Sequence, residues 1–114
     1  MKINLKATDL DLTPSIKEYC EEKIGSLAKL VGRYDHEGSA EVWLEIARTT
    51  QHHHKGPVFR AEADLRLPGK ILRAEQEDLD IRTAIDKIRT KLRLEILKYK
   101  TTHLFRRILR RENR

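Results

Sequence analysis

With Cys20 as its one cysteine, this 114-residue chain cannot form an internal disulfide, which fits a protein kept in a reducing compartment. Its three prolines and five glycines are scattered, so it has no Pro- or Gly-rich linker, no low-complexity tract and no Gly-rich phosphate loop. No apolar run approaches the roughly 18 residues of a membrane span. The opening MKINLKATDLDL alternates polar and apolar residues instead of forming the apolar stretch of a secretion signal. A soluble, cytoplasmic protein is expected. No Ser-His-Asp or Cys-His motif is recognisable, and the acidic pair Asp9 and Asp11 lies in a loop with nothing nearby to set two carboxyl pKa values apart. Neither an enzyme nor a small-molecule substrate is therefore expected, and no cofactor.

What the chain does have is charge, unevenly placed. From Arg82 onward there are 12 Lys and Arg against Asp86, Glu95 and Glu112, a local net of +9, while the preceding 81 residues hold 12 basic and 15 acidic residues, a net of −3. The whole +6 of the chain thus comes from its last third, and the pI near 9.6 points to a polyanionic partner met by one surface. At this length a single domain is expected.

That last third reads as one long helix, Arg82 to Arg111. At 100° per residue Ile81, Ile85, Ile88, Leu92, Ile96 and Tyr99 fall on one side and form a core stripe. Beside it runs a cationic column of Arg82, Arg89, Arg93, Lys100, Arg107 and Arg111, and Lys87, Lys91 and Lys98 line the opposite flank. An ordinary solvated face mixes signs to gain i,i+4 pairs; these two columns hold almost no acids. Beyond Tyr99 the core stripe gives way to Thr102, His103, Arg106 and Arg110. An outward apolar series, Leu94, Leu97, Leu104, Phe105 and Ile108, continues at heptad-like spacing over about two heptads. The helix is expected to project past the domain. The seam allows two readings: a tail that folds back or stays frayed, or a docking surface for a protein partner or a second copy.

Before this helix, residues 2–7 (KINLKA) alternate as a half-buried strand with Ile3, Leu5 and Ala7 inward. Thr13 and Pro14 form an N-cap and first-turn pair, and Ile16, Tyr19, Cys20, Ile24, Leu27, Leu30 and Val31 recur at helical spacing, predicting one helix from Pro14 to Val31 that stops near Gly32. Glu18, Glu21 and Glu22 occupy its far side, leaving Lys17, Lys23, Lys29 and Arg33 as the cations able to assist the later basic surface. Three strands follow: SAEVWLEIART with Ala40, Val42, Leu44 and Ile46 inward; VFRAEADLRL with Phe59, Ala61, Ala63, Leu65 and Leu67 on one face; and, after the Pro68-Gly69 turn, a short KILRAE with Leu72 and Ala74 inward. Each strand has one apolar face, so both helices must cover the same side. A right-handed crossover makes the first two strands parallel and leaves the other pairs antiparallel. The fold class is an α/β two-layer sandwich, β-α-β-β-β-α, with a four-stranded mixed sheet and two helices on one face.

The helix LTPSIKEYCEEKIGSLAKL, the hairpin PGKILRAE, the acidic EQEDLD, and AIDKI leading to LKYK occur in an order and spacing that resemble the short hibernation-promoting factor and ribosome-associated inhibitor family, the sigma-54 modulation protein-like group. The likeness covers about residues 1–100. It implies a fold similar to double-stranded-RNA-binding domains and a place on the small ribosomal subunit, in the mRNA and tRNA channel. It further implies that Lys23, Lys29, Lys87, Lys91, Lys98 and Lys100 meet 16S ribosomal RNA; Arg82, Arg89 and Arg93 join them from the cationic column. Two departures stand out. Arg82 stands where the family usually has a Tyr ahead of Ala84-Ile85-Asp86, and Leu94 and Leu97 stand on an outer face that is often polar in family members. Residues 1–100 are thus expected to form a ribosome-binding domain and 101–114 a basic extension of the last helix. Long members add a linker and a dimerisation domain, so the likeness is to a short form.

The expected function is translation inhibition by occlusion. Two alternatives remain: a general structured-RNA binder or RNA chaperone, and an adaptor recruiting a protein through the tail seam. Three smaller features read blandly. His52, His53 and His54 lack the Cys or second His cluster that a metal site needs. Trp43 points outward, to pack against Lys or Arg stems or to stack on a base. Cys20 lies on the buried stripe as a small core residue.

Overall fold

A computed structural model describes residues 1–35, 38–49 and 58–112. The alternating patterns become strands β1 (Lys2–Thr8), β2 (Glu41–Arg48), β3 (Phe59–Leu67) and β4 (Lys70–Asp78) in the order β1-β2-β3-β4. The β1-β2 pair is parallel and the other two are antiparallel, as the crossover rule requires. Registers such as Leu5 opposite Leu44, Leu44 opposite Ala63, and Leu65 opposite Leu72 stack the inward residues of all four strands on one face.

Helices α1 (Pro14–Gly25), α2 (Ala28–Val31) and α3 (Ile81–Glu112) cover that face. Cys20 and Ile24 from α1, Leu27 from the turn that follows, Val31 from α2, and Ile81, Ala84, Ile85, Ile88, Leu92, Ile96 and Tyr99 from α3 are buried against Val42, Leu44, Ile46, Ala63, Leu65 and Leu72. Among the described residues no buried side chain is polar or charged. The core is therefore held by apolar burial, worth about 25 cal/mol per Å².

The single helix expected over Pro14–Val31 is two. Thr13 caps α1 as foreseen, its hydroxyl accepting the Ile16 amide at 3.2 Å with Pro14 in the first turn. At the other end the Ser26 hydroxyl donates to the Lys23 carbonyl (2.6 Å), and the Leu27 amide bonds Ile24 three residues back (3.0 Å) instead of four. A serine hydroxyl that competes for helix carbonyls ends regular winding; the tightened turn re-aims the chain so that Leu27 and Val31 both reach the core. Gly32 then takes φ +50, which disfavours any residue with a Cβ, and starts a 3-10 turn through Tyr34.

β4 also runs longer than KILRAE, to Asp78. Its last three residues stay in the sheet because Gln76, Glu77 and Asp78 pair with Ala61, Arg60 and Phe59 of β3, and Arg60 bonds both Glu62 and Glu75 on the outer face. On the same open face the Arg66 guanidinium lies 4.8 Å from the Trp43 ring centroid, so Trp43 packs against an arginine.

A 32-residue helix is about 48 Å long at 1.5 Å per residue, more than the sheet beneath it can cover. The molecule measures 61 × 28 × 17 Å, and from residue 101 to 112 every side chain but the half-buried His103 is exposed. The tail stands off the domain as a continuous helix and does not fold back.

Candidate nucleic-acid interface

With the apolar stripe of α3 fixed against the sheet, its cations can only lie on the flanks and the outer face. The structure separates them into two rows, roughly 160° apart around the helix at 100° per residue.

One row faces α1 and α2. The Arg82 guanidinium donates to the Ser15 hydroxyl (2.9 Å) and lies 5.6 Å from the Tyr19 ring. Arg89 donates to the Ser26 hydroxyl (2.8 Å), and the Lys100 ammonium donates to the Leu30 carbonyl (2.9 Å). Lys23, half-buried on α1, joins this side with its ammonium 5.4 Å from the Tyr19 ring, and Lys29 is exposed on α2. The other row borders β4. Lys87 pairs with Asp78 at 2.8 Å, Lys91 donates to the Glu75 carbonyl at 2.7 Å, and Lys98 stands beside the Pro68-Gly69 turn. Lys87 holds the Asp78 carboxyl below the usual carboxylate range, chiefly by hydrogen bonding. Arg93 and Lys98 have no hydrogen-bond or ion-pair partner among the described residues.

The nine basic residues expected to form the site thus occur in two banks. Those that are bonded mostly use neutral oxygens as acceptors, which orients their positive charge without cancelling it. Between the banks runs the apolar seam: Leu94 (58% exposed), Leu97 (36%), Leu104 (50%), Phe105 (61%) and Ile108 (45%). Leu109, 42% exposed, extends it, a residue hidden in the sequence among arginines.

Tyr19 ties the two helices that carry the banks, donating its hydroxyl to Asp86 at 2.6 Å. That bond, then burial, pushes its pKa from 10.0 to about 12. Because the folded state holds this proton more tightly, the contribution is complete below pH 10 and is lost as pH rises toward 12. Thermal melts between pH 9 and pH 12 should show the wild-type chain losing its advantage over Tyr19→Phe across that window; a constant difference would contradict the linkage.

Arginines beyond the nine expected contacts, Arg33 and Arg107 of the cationic sets and Arg106 and Arg110 of the fading core stripe, cluster where α3 leaves the domain. Arg33, Tyr34, His103, Arg106, Arg107 and Arg110 line a concave surface of about 400 Å³. Its sequence signal was the core stripe, which keeps its period past Tyr99 while its residues turn cationic.

Cys20 and the histidine run are the remaining candidates. Cys20 is buried and its thiol is pushed up to about 11, mainly by that burial, so it stays protonated. His52, His53 and His54 lie outside the described residues; among those described, no three His, Cys, Asp or Glu side chains group to hold a metal. No described helix is long and apolar enough to cross a membrane.

The family model for "Sigma 54 modulation protein / S30EA ribosomal protein" matches residues 3–103. A ribosome hibernation promotion factor of Lactococcus lactis subsp. cremoris is 34% identical over 103 residues, covering 89% of this chain and 50% of that protein. A ribosome hibernation promoting factor of Acidithiobacillus ferridurans is 38% identical over 87 residues, covering 75% of this chain and 100% of the relative. This chain therefore spans about half the length of the Lactococcus relative. The crystal structure of the Thermus thermophilus Protein Y N-terminal domain superposes with a TM-score of 0.68 at 28% identity, covering 87% of this chain and 99% of that one. The names of the family and of both relatives refer to the ribosome.

Proposed function

The chain belongs to the Sigma 54 modulation protein / S30EA ribosomal protein family, and from that premise we propose that it is a ribosome hibernation factor that binds the small subunit through 16S rRNA and blocks translation by occupying the mRNA and tRNA channel. The observation that carries this reading is the pair of cationic banks on one rigid helix, Arg82, Arg89, Arg93 and Lys100 on one side and Lys87, Lys91 and Lys98 on the other, with Lys23 and Lys29 beside them. Lysine and arginine displace condensed counterions from phosphates, so binding should weaken steeply with salt. No base need be read, since A-form RNA is recognised through shape, phosphates and 2′-hydroxyls. The work of such a protein is done in the cytoplasm, by steric exclusion and without catalysis.

Occlusion has its own test. Added to ribosomes before mRNA and initiator tRNA, a near-stoichiometric amount of protein should suppress peptide synthesis in a purified translation system. Added after initiation complexes have formed, it should do so far less. Inhibition independent of the order of addition would contradict a blocked channel.

A second reading is favoured by the exposed seam itself. Leu94, Leu97, Leu104, Phe105 and Ile108 form a stripe too continuous to be scattered surface residues. Its arginine-rich borders would repel a second copy laid along the same helix, so a protein partner docking there should be an acidic amphipathic segment. Leu97→Asp with Leu104→Asp should abolish such recruitment while ribosome binding persists. Unchanged solution mass and unchanged ribosome-bound protein composition would remove the adaptor role.

A further inference from the structure

The concave surface at the root of the α3 tail has no role in the two cationic banks. Its residues arrive from two sources. His103, Arg106 and Arg110 continue the periodic stripe that upstream is the core, and Arg107 flanks it. Arg33 and Tyr34 come from the 3-10 turn after α2. An aromatic cluster clamps the two together: ring centroids lie 5.2 Å apart for Tyr34 and Tyr99, 4.2 Å for Tyr99 and His103, and 5.4 Å for Tyr34 and His103. The Tyr99 hydroxyl donates to the Pro68 carbonyl at 2.7 Å, anchoring the cluster to the β3-β4 turn. The floor is therefore fixed by packing.

The walls are guanidinium groups. Arg33 touches Tyr34, donating to its hydroxyl at 3.4 Å and lying 5.4 Å from its ring; Arg106, Arg107 and Arg110 have no hydrogen-bond or ion-pair partner among the described residues. Among the described residues no carboxylate lines the surface. Four positive groups around about 400 Å³ repel one another unless an anion sits between them. The helix dipole explains cations in a final turn, which holds Arg110 and Arg111 but not Arg106 or Arg107. The volume lies within the range of small-ligand sites, about 300–1,000 Å³. Planar forks with several N–H donors match phosphate oxygens bidentately, and four of them around one hollow call for more negative charge than a single carboxylate carries.

We propose that Arg33, Tyr34, His103, Arg106, Arg107 and Arg110 form a binding site for closely spaced phosphates, supplied either by the polyphosphate end of a nucleotide or by successive backbone phosphates of one RNA strand. The second source would deepen the ribosomal reading and rests on it; the first is independent of it. The match to the family model ends at residue 103, so Arg106, Arg107 and Arg110 lie beyond the matched segment, while Arg33, Tyr34 and His103 lie within it.

Inorganic tripolyphosphate is the probe, titrated into the full chain at constant ionic strength and followed by NMR of backbone and arginine side-chain N–H signals. Saturable one-to-one binding is expected, with shifts concentrated on Arg33, Tyr34, His103, Arg106, Arg107 and Arg110. Arg106→Ala with Arg110→Ala should weaken it by at least about tenfold through lost charge-assisted bonds, and Arg33→Ala should weaken it separately. Both arginines of the double variant are exposed, so the fold should survive. Shifts shared equally with Lys87, Lys91 and Lys98, or a double variant that binds like the wild type, would overturn the site. Competing RNA tetramers identify the source. Equal displacement by 5′-hydroxyl and 5′-triphosphate ends supports backbone phosphates, displacement by the triphosphate alone supports a terminal polyphosphate, and displacement by neither overturns a nucleotide ligand. Because tripolyphosphate involves no ribosome, failure of this site and failure of the ribosomal reading are read out separately.

Discussion

Lys87→Glu, Lys91→Glu and Lys98→Glu, made together, should remove ribosome binding while the chain stays folded. The three form the bank beside β4, and all three are exposed, so their replacement opens no cavity in the core. A charge-assisted bond to a phosphate is worth about 1.5–3 kcal/mol, so three lost contacts lower affinity on the order of a thousandfold or more before repulsion by the new carboxylates is counted. The salt dependence of any residual binding should flatten as well, because fewer counterions are released. Lys87 also pairs with Asp78 and Lys91 with the Glu75 carbonyl, but these bonds are solvent-exposed and contribute little to stability. Equilibrium binding to purified small subunits, with thermal melts of the same samples, checks both halves. Retained affinity would show that this bank does not face RNA.

Leu92→Ala should act in the opposite way, through the fold. Leu92 is fully buried at the middle of the α3 stripe. Removing its side chain loses apolar burial and leaves a cavity that the sheet beneath cannot collapse to fill, at a cost of about 3 kcal/mol within the range seen for such truncations. For a domain of this size the melting temperature should fall on the order of 10 °C. Well below the new transition, where the helix is still seated, ribosome affinity should stay close to that of the wild type, because no bank residue has changed. Denaturant unfolding at 25 °C gives the free-energy change directly; a loss under about 1 kcal/mol would mean that α3 is not seated on the sheet through this stripe.

The parts of the structure legible in sequence are those set by a period. Alternation in residues 2–7, 40–46 and 59–67 fixed the inward faces of three strands, and the stripe from Ile81 to Tyr99 fixed which side of α3 is buried, hence which sides carry cations. Side-chain chemistry acting locally was less legible. The break at Ser26 depends on one hydroxyl bonding the Lys23 carbonyl, and the length of β4 depends on β3 offering Phe59, Arg60 and Ala61 as backbone partners to residues 76–78. Neither is announced by a period in the chain. Least legible was the arginine-lined surface, because Arg33 and Arg106 meet only after the 3-10 turn and the end of α3 are brought together by Tyr34 and Tyr99. No spacing along the sequence encodes that meeting.

The central claim is most directly tested by sedimenting the purified protein through sucrose gradients with small subunits, large subunits and intact ribosomes, at low and moderate salt, with excess duplex RNA as competitor. Travel with the small subunit and the intact ribosome at near one-to-one despite the duplex is the predicted result. Release by the duplex would contradict it and leave α3 as a general surface for structured RNA.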